Sequence, residues 1–74
     1  MNAWRFAAMT EELALLRSPL GPKGSGRVRY GAAMALYRAG LLSEAQLEVY
    51  RETSAHDGRD PLSVLAERGL PLPP

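Results

Sequence analysis

Residues 21–27 form a glycine-rich, basic segment with the composition of a phosphate-binding loop. The segment reads Gly-Pro-Lys-Gly-Ser-Gly-Arg and sets Lys23 and Arg27 in flexible backbone. It also precedes a predicted helix, whose N-terminus favours anions. A P-loop, however, requires glycine, lysine and serine or threonine in succession after a four-residue gap, and that order is missing. The sequence therefore favours a simple linker here and leaves phosphate or nucleotide binding as an alternative.

His56, Asp57 and Asp60 are residue types that serve as general bases or metal ligands. The chain has one histidine and no cysteine, so the sequence offers neither a thiolate metal site nor a disulfide. A general base also needs a partner and a pocket, which one histidine in a predicted loop does not supply. Asp57-Gly58 is typical of a turn, and Asp60 before Pro61 is typical of a helix cap. We therefore predict no catalytic residue, no metal, no cofactor and no enzymatic activity.

The positive charge of the chain is concentrated in its first half. Residues 1–40 carry six basic and two acidic side chains, whereas residues 41–74 carry three basic and six acidic ones. A basic cluster of this kind could contact nucleic acid or an acidic protein; it consists of Arg17, Lys23, Arg27 and Arg29. The helix that would enter a DNA groove carries acidic residues at every fourth position: Glu44, Glu48 and Glu52. Because these would face phosphates, nucleic-acid binding is disfavoured and stays an alternative only.

An apolar stripe near the N-terminus is the strongest candidate for a partner contact. Phe6, Met9, Leu13 and Leu16 recur at helical spacing, and Trp4 lies beside them. A stripe this broad exceeds what one neighbouring helix of a small chain covers. We predict a partner-binding surface made of this stripe and the basic cluster, comprising Trp4, Phe6, Met9, Leu13, Arg17, Lys23, Arg27 and Arg29.

Helix start and stop signals divide the chain into four predicted helices. Ser43 with Gln46 has the spacing of a capping box, and Gly40 is typical of a helix end. Asp60-Pro61 starts the last helix, and Gly69 ends it. The predicted elements are helices at residues 3–16, 28–39, 44–53 and 61–68, a linker at 18–27 and an extended tail at 70–74. The second helix is rich in alanine, which allows a neighbouring backbone to approach closely, and Tyr30, Met34, Tyr37 and Leu41 supply bulk along one of its sides. The sequence thus predicts one all-α domain over residues 1–74, a small three- to four-helix bundle with a Gly/Pro-rich loop between helices 1 and 2.

Residues 37–70 read "YRAGLLSEAQLEVY" and then "GRDPLSVLAERGL". This pattern resembles one repeat unit from the N-terminal domain of the ATPases that drive type II secretion and type IV pilus assembly. The matching positions are Gly40, Leu41, Leu42, Leu47, Pro61, Leu62, Leu65, Gly69 and Leu70. The resemblance covers under half of the chain, lacks a second copy of the motif and implies a helix-packing geometry. Some members of that family bind a cyclic dinucleotide in this domain, whereas the nucleotide-binding alternative for this chain rests on the Gly21–Arg29 loop and the helix that follows it.

A chain of 74 residues has room for only a small core. A core of this size supplies roughly 3–5 kcal/mol, and here no disulfide or metal adds to it. We therefore expect docking on a larger protein as an accessory or regulatory subunit, or homo-oligomerisation. No apolar run reaches the length of a membrane span, and Glu11 and Glu12 interrupt any signal-peptide core. A cytoplasmic location is expected.

Overall fold

The part of the chain that the structure describes is built from helices joined by short connections. A computed structural model describes residues 10–17, 25–55 and 59–74. Within these ranges four helices follow one another and no strand occurs: α1 (Thr10–Arg17), α2 (Ser25–Arg38), α3 (Glu44–Ser54) and α4 (Pro61–Glu67). The predicted all-α fold, a small helical bundle, is confirmed.

The second helix is the centre of the bundle. α2 packs against α1 and against α3, and α4 packs against α3. Every helix contributes to one core, whose buried members are Leu13, Leu16, Ala32, Ala33, Leu36, Leu42, Val49, Tyr50, Val64 and Leu65. α2 therefore has one side facing α1 and another facing α3.

The start of α2 corrects the predicted linker at residues 18–27. Residues 25–27 are helical, while residues 18–24 lie outside the described part. Both prolines of the segment precede Ser25, so none interrupts the helix. At Gly26, a β-carbon would lie 3.1 Å from the Cα of Ser54 and 3.4 Å from the carbonyl oxygen of Thr53. This glycine therefore allows the start of α2 to approach the end of α3 closely.

The buried side of α2 is formed mainly by small residues. Its buried apolar residues are Ala32, Ala33 and Leu36, whereas Tyr37 is 41% exposed. Tyr30 and Leu41 are only partly buried at the edge of the core. α2 packs against helices on two sides, where small side chains permit the close contact expected of its alanines.

The predicted glycine stops are confirmed. Gly40 follows α2 with φ of 80°, a conformation that glycine adopts without steric cost. The amide of Leu41 then donates to the carbonyl oxygen of Leu36 at 2.9 Å, which makes a Schellman motif. Gly69 follows α4 in the same way, with φ of 69°.

The cap of α3 also anchors the C-terminal tail. The hydroxyl of Ser43 accepts from the amide of Gln46 at 3.1 Å, and the Gln46 side chain accepts from the amide of Ser43 at 2.7 Å. The predicted capping box is therefore present. The Nε2 group of Gln46 also donates to the carbonyl oxygen of Pro71 at 2.8 Å, and Pro73 is buried. The tail is non-helical, as predicted, and packs against the rest of the chain.

The remaining boundaries agree with prediction to within a residue at most ends. α2 ends at Arg38, α3 at Ser54 and α4 at Glu67, each one residue from its predicted end. Of the predicted helix at residues 3–16, positions 10–16 are helical and positions 3–9 lie outside the described part.

Candidate docking groove

The predicted partner-binding residues do not form one surface in the described part of the chain. Trp4, Phe6, Met9 and Lys23 lie outside that part. Arg17 and Arg27 are exposed. Leu13 and Arg29, each 3% exposed, are buried, so their prediction as surface contacts is wrong.

The burial of Arg29 follows from its place on α2. Arg29 lies on the same stripe as Ala32, Ala33 and Leu36, at spacings of three, four and seven. Leu13 is buried for a similar reason, since it shares the inward face of α1 with Leu16.

Arg29 lies near Tyr50, the largest fully buried side chain of the core. Burial raises the pKa of Tyr50 to about 12, the positive charge of Arg29 acts in the opposite direction, and Asp60 adds to the increase. The hydroxyl of Tyr50 is buried without a hydrogen-bond partner. A phenol in this position stays protonated near neutral pH and has a packing role.

The surface between α1 and α2 contains an open groove of about 290 Å³. α1 contributes Glu11, Glu12 and Leu15, and α2 contributes Val28, Gly31, Ala32 and Ala35. The four α2 residues are spaced by three or four positions, so they share one face of that helix. Because they are small, the groove has a shallow apolar floor.

The floor of the groove is uncovered at two neighbouring positions. Val28 is 59% exposed, which is unusual for a β-branched apolar side chain inside a helix. A β-carbon on Gly31 would meet no atom within 4 Å. Among the described residues, none occupies the space beside this β-carbon, in contrast to the tight contact at Gly26.

The α1 wall of the groove is acidic. Glu11 is exposed and Glu12 is half-buried. One carboxylate oxygen of Glu12, Oε2, is buried and has no hydrogen-bond partner. Because this oxygen is inaccessible, the negative charge that the wall presents to the groove comes from Glu11 and from the accessible part of Glu12.

A second cavity of about 180 Å³ adjoins the end of α3 and is lined by Glu52, Thr53, Arg59 and Val64. Its polar side chains on α3 already have partners. Glu52 forms an ion pair with Arg68 at 2.5 Å, and the hydroxyl of Thr53 donates to the carbonyl oxygen of Val49 at 2.8 Å. The polar side chains that α3 contributes to this cavity are therefore less available to a ligand or partner.

The acidic residues of α3 are partly neutralised by arginines. Glu48 pairs with Arg51 on the same helix, and this hydrogen bond holds the pKa of Glu48 below its ordinary value. With the Glu52–Arg68 pair, two of the three acidic side chains have a cationic neighbour. Solvent and salt screen such exposed pairs, so they are weak evidence for stability.

Of the three residues considered as general bases or metal ligands, the structure describes only Asp60, which has a structural role. Asp60 caps α4, accepting from the amide of Leu62 at 3.2 Å and from the hydroxyl of Ser63 at 3.1 Å. His56 and Asp57 lie outside the described part. Over residues 10–17, 25–55 and 59–74, no three histidine, cysteine or acidic side chains cluster as metal ligands would.

Within the same ranges, no helix has both the length and the apolar character required to cross a bilayer. Comparison of the chain with family models, curated proteins and solved structures found no match. The resemblance of residues 37–70 to the secretion and pilus ATPases therefore stays a prediction.

Proposed function

We propose that this chain is a non-catalytic accessory or regulatory subunit that docks on a larger protein through the groove between α1 and α2. The observation that carries the proposal is the uncovered floor of that groove, where Val28 is 59% exposed and no described residue lies within 4 Å of a β-carbon on Gly31. The docking surface differs from the one predicted from the sequence, because Leu13 and Arg29 are buried.

The small size of the core supports docking. A domain of 74 residues without disulfides has about 3–5 kcal/mol of net stability from its core. Each square ångström of apolar surface covered by a partner adds about 25 cal/mol. Covering the groove would therefore stabilise the fold as well as form the complex.

The nucleotide-binding and nucleic-acid-binding alternatives depend on the cluster of Arg17, Lys23, Arg27 and Arg29. Arg29 is buried near Tyr50, so the basic cluster has one positive charge fewer at the surface than predicted. No contact among the described residues favours either alternative over protein docking.

The proposal is tested by sizing the native complex with two matched variants. Val28 and Leu72 are both 59% exposed, but only Val28 lines the groove. Val28→Glu introduces a charge on the groove floor near the start of α2, where an acidic side chain suits the helix dipole. Leu72→Glu makes the same kind of change on the tail.

Each variant would replace the wild type at its natural expression level, and the complex would be sized by chromatography. We expect wild type and Leu72→Glu to elute with a stoichiometric larger protein and Val28→Glu to elute alone, folded by circular dichroism. If wild type elutes alone, or if Val28→Glu stays in the complex, the proposal is wrong.

A further inference from the structure

We infer that the occupant of the groove is an amphipathic α-helix of the partner protein, with a lysine or arginine positioned over Glu12. The inference rests on the proposed function and specifies the chemistry of the partner. Three features of the groove support this inference: the backbone hydrogen bonding of its floor, the small size of the floor side chains and the negative charge of its α1 wall.

The backbone of the groove floor selects a helical occupant. Residues 28–35 lie inside α2, where amide and carbonyl groups are bonded within the helix. An extended peptide would find no strand edge here to satisfy its own amides, and unpaired buried backbone groups are costly. A helix satisfies its backbone internally, so it can lie on this surface with side-chain contacts alone.

The small side chains of the floor allow that helix to approach closely. Gly31 and Ala35 are one helical turn apart, and Ala32 lies beside them. Such a row forms a depression into which the side-chain ridge of another helix fits. From Val28 to Ala35 the depression extends about 10 Å, which corresponds to two helical turns of the partner.

The charge of the groove selects a basic residue at one position of that helix. Glu11 and Glu12 line the α1 wall, and Oε2 of Glu12 is buried without a hydrogen-bond partner. The negative charge that reaches the surface comes from exposed Glu11 and from the accessible part of half-buried Glu12. A lysine or arginine of the partner facing this wall would form a charge-assisted pair with it, and an acidic helix would be repelled.

Photo-cross-linking in the native host cell would identify the occupant of the groove. A p-benzoylphenylalanine replaces Val28 in one strain and Leu72 in a control strain, and mass spectrometry reads the sequence of the cross-linked segment. We expect position 28, but not position 72, to cross-link to a segment of another protein. That segment should have apolar residues at helical spacing and a lysine or arginine within one turn of the cross-linked residue.

A charge exchange then tests the pairing itself. Glu12→Lys should weaken the complex about tenfold, the equivalent of 1.4 kcal/mol, and changing the basic residue of the partner to glutamate should restore it. Glu44→Lys, at an exposed position on α3, serves as the control and should have no effect. Glu12→Gln keeps the size of the side chain and should weaken the complex without disturbing the fold.

The possible outcomes separate the inference from the proposed function. A cross-link to another protein through an acidic, extended or loop segment overturns the inference and leaves the proposed function standing. So does a Glu12→Lys complex that is as tight as wild type. A cross-link within the same chain or to a second copy, or none above the Leu72 control, overturns both.

Discussion

The two sides of α2 differ in how tightly they are packed. Where α2 meets α3, the absence of a side chain at Gly26 lets the backbones of the two helices come into contact. Leu36, Val49 and Tyr50 are almost fully buried on this side. Where α2 meets α1, Val28 is exposed, and no described residue lies within 4 Å of a β-carbon placed on Gly31. Two glycines of one helix thus have opposite surroundings.

The polar groups do not show the same contrast. On the α3 side, the capping box at Ser43, the cap at Asp60 and the anchor from Gln46 to the tail satisfy polar groups locally. Each side nevertheless keeps one buried oxygen without a hydrogen bond, Oε2 of Glu12 on α1 and the hydroxyl of Tyr50 on α3. The two sides of α2 therefore differ in the exposure of their apolar surface, and the docking of a partner on the α1 side is our proposal.

The largest expected effect separates the core from the groove. Leu65→Ala, at a fully buried position of α4, should lower the free energy of unfolding by about 2–5 kcal/mol, because it leaves a cavity. Val28→Ala should change it by less than about 0.5 kcal/mol, since the valine side chain is mostly in solvent. Urea unfolding measures both, and equal losses would show that the groove side is part of the core.

Tyr50→Phe tests the buried phenol at high pH. Burial raises the pKa of Tyr50 from 10.0 to about 12 in the folded state. The neutral phenol therefore contributes stability that is fully present below pH 10 and lost as the pH rises through 12, on the order of 2–3 kcal/mol. Between pH 10 and 12 the free energy of unfolding should fall more steeply in wild type than in Tyr50→Phe.

At neutral pH, Tyr50→Phe should be as stable as wild type or slightly more stable, because the hydroxyl it removes has no hydrogen-bond partner. Tyr37→Phe, at a 41% exposed position, is the control and should follow the wild-type pH dependence. A steep loss in Tyr50→Phe as well would assign the alkaline instability to other groups.

Two substitutions separate the cap of α3 from the anchor of the tail. Ser43→Ala removes the cap acceptor and should cost about 0.5–2 kcal/mol while the tail stays in place. Gln46→Glu keeps an acceptor for the Ser43 amide but removes the donor to Pro71, at a cost of about 0.5–1.5 kcal/mol.

Amide ¹⁵N relaxation at Leu72 distinguishes the two variants. The amide should become mobile in Gln46→Glu and stay ordered in Ser43→Ala. A mobile tail in both would mean that the cap, rather than the Gln46 side chain, holds it.

The smallest expected effect compares the two glycines directly. Gly31→Ala should raise the free energy of unfolding by about 0.5–1 kcal/mol, because alanine favours helix and the added methyl group meets nothing. Gly26→Ala should gain less or lose stability, because its β-carbon would lie 3.1 Å from the Cα of Ser54.

The same two variants have opposite consequences for docking. Gly31→Ala should weaken the native complex, because it narrows the depression at the closest approach, whereas Gly26→Ala should leave the complex intact. Calorimetric unfolding and sizing of the complex measure the two effects. A Gly31→Ala protein that is both more stable and bound as tightly as wild type would contradict close helix packing.

The helix ends could be predicted because their signals are local. Ser43 with Gln46, Gly40, Asp60-Pro61 and Gly69 each specify a boundary within a few residues of themselves, and the structure places helix ends there. The all-α fold follows from these boundaries. The packing role of Gly26 could not be predicted in this way, because it depends on the end of α3, nearly thirty residues away.

The groove could not be predicted because it depends on which face of α2 stays uncovered. The bulk of Tyr30 and Tyr37 along one side of α2 did not specify which side is buried, and the charge of Arg29 favoured exposure. The spacing of Arg29 and Leu36 places them on one stripe, but only the packing against neighbouring helices shows that this stripe is buried. The one available signal was the combination of Gly31 and Ala35 one turn apart, which permits close packing but does not specify against what.

Hydroxyl-radical footprinting of the isolated chain and of its native complex tests most directly whether the groove is the docking surface. Val28 and Leu72 serve as matched probes, since both are 59% exposed in the free chain. We expect complex formation to protect Val28 strongly from oxidation and to leave Leu72 as reactive as before. Protection of Leu72 with Val28 unchanged would show that the partner binds elsewhere, and equal reactivity of both in the two states would contradict docking through this face.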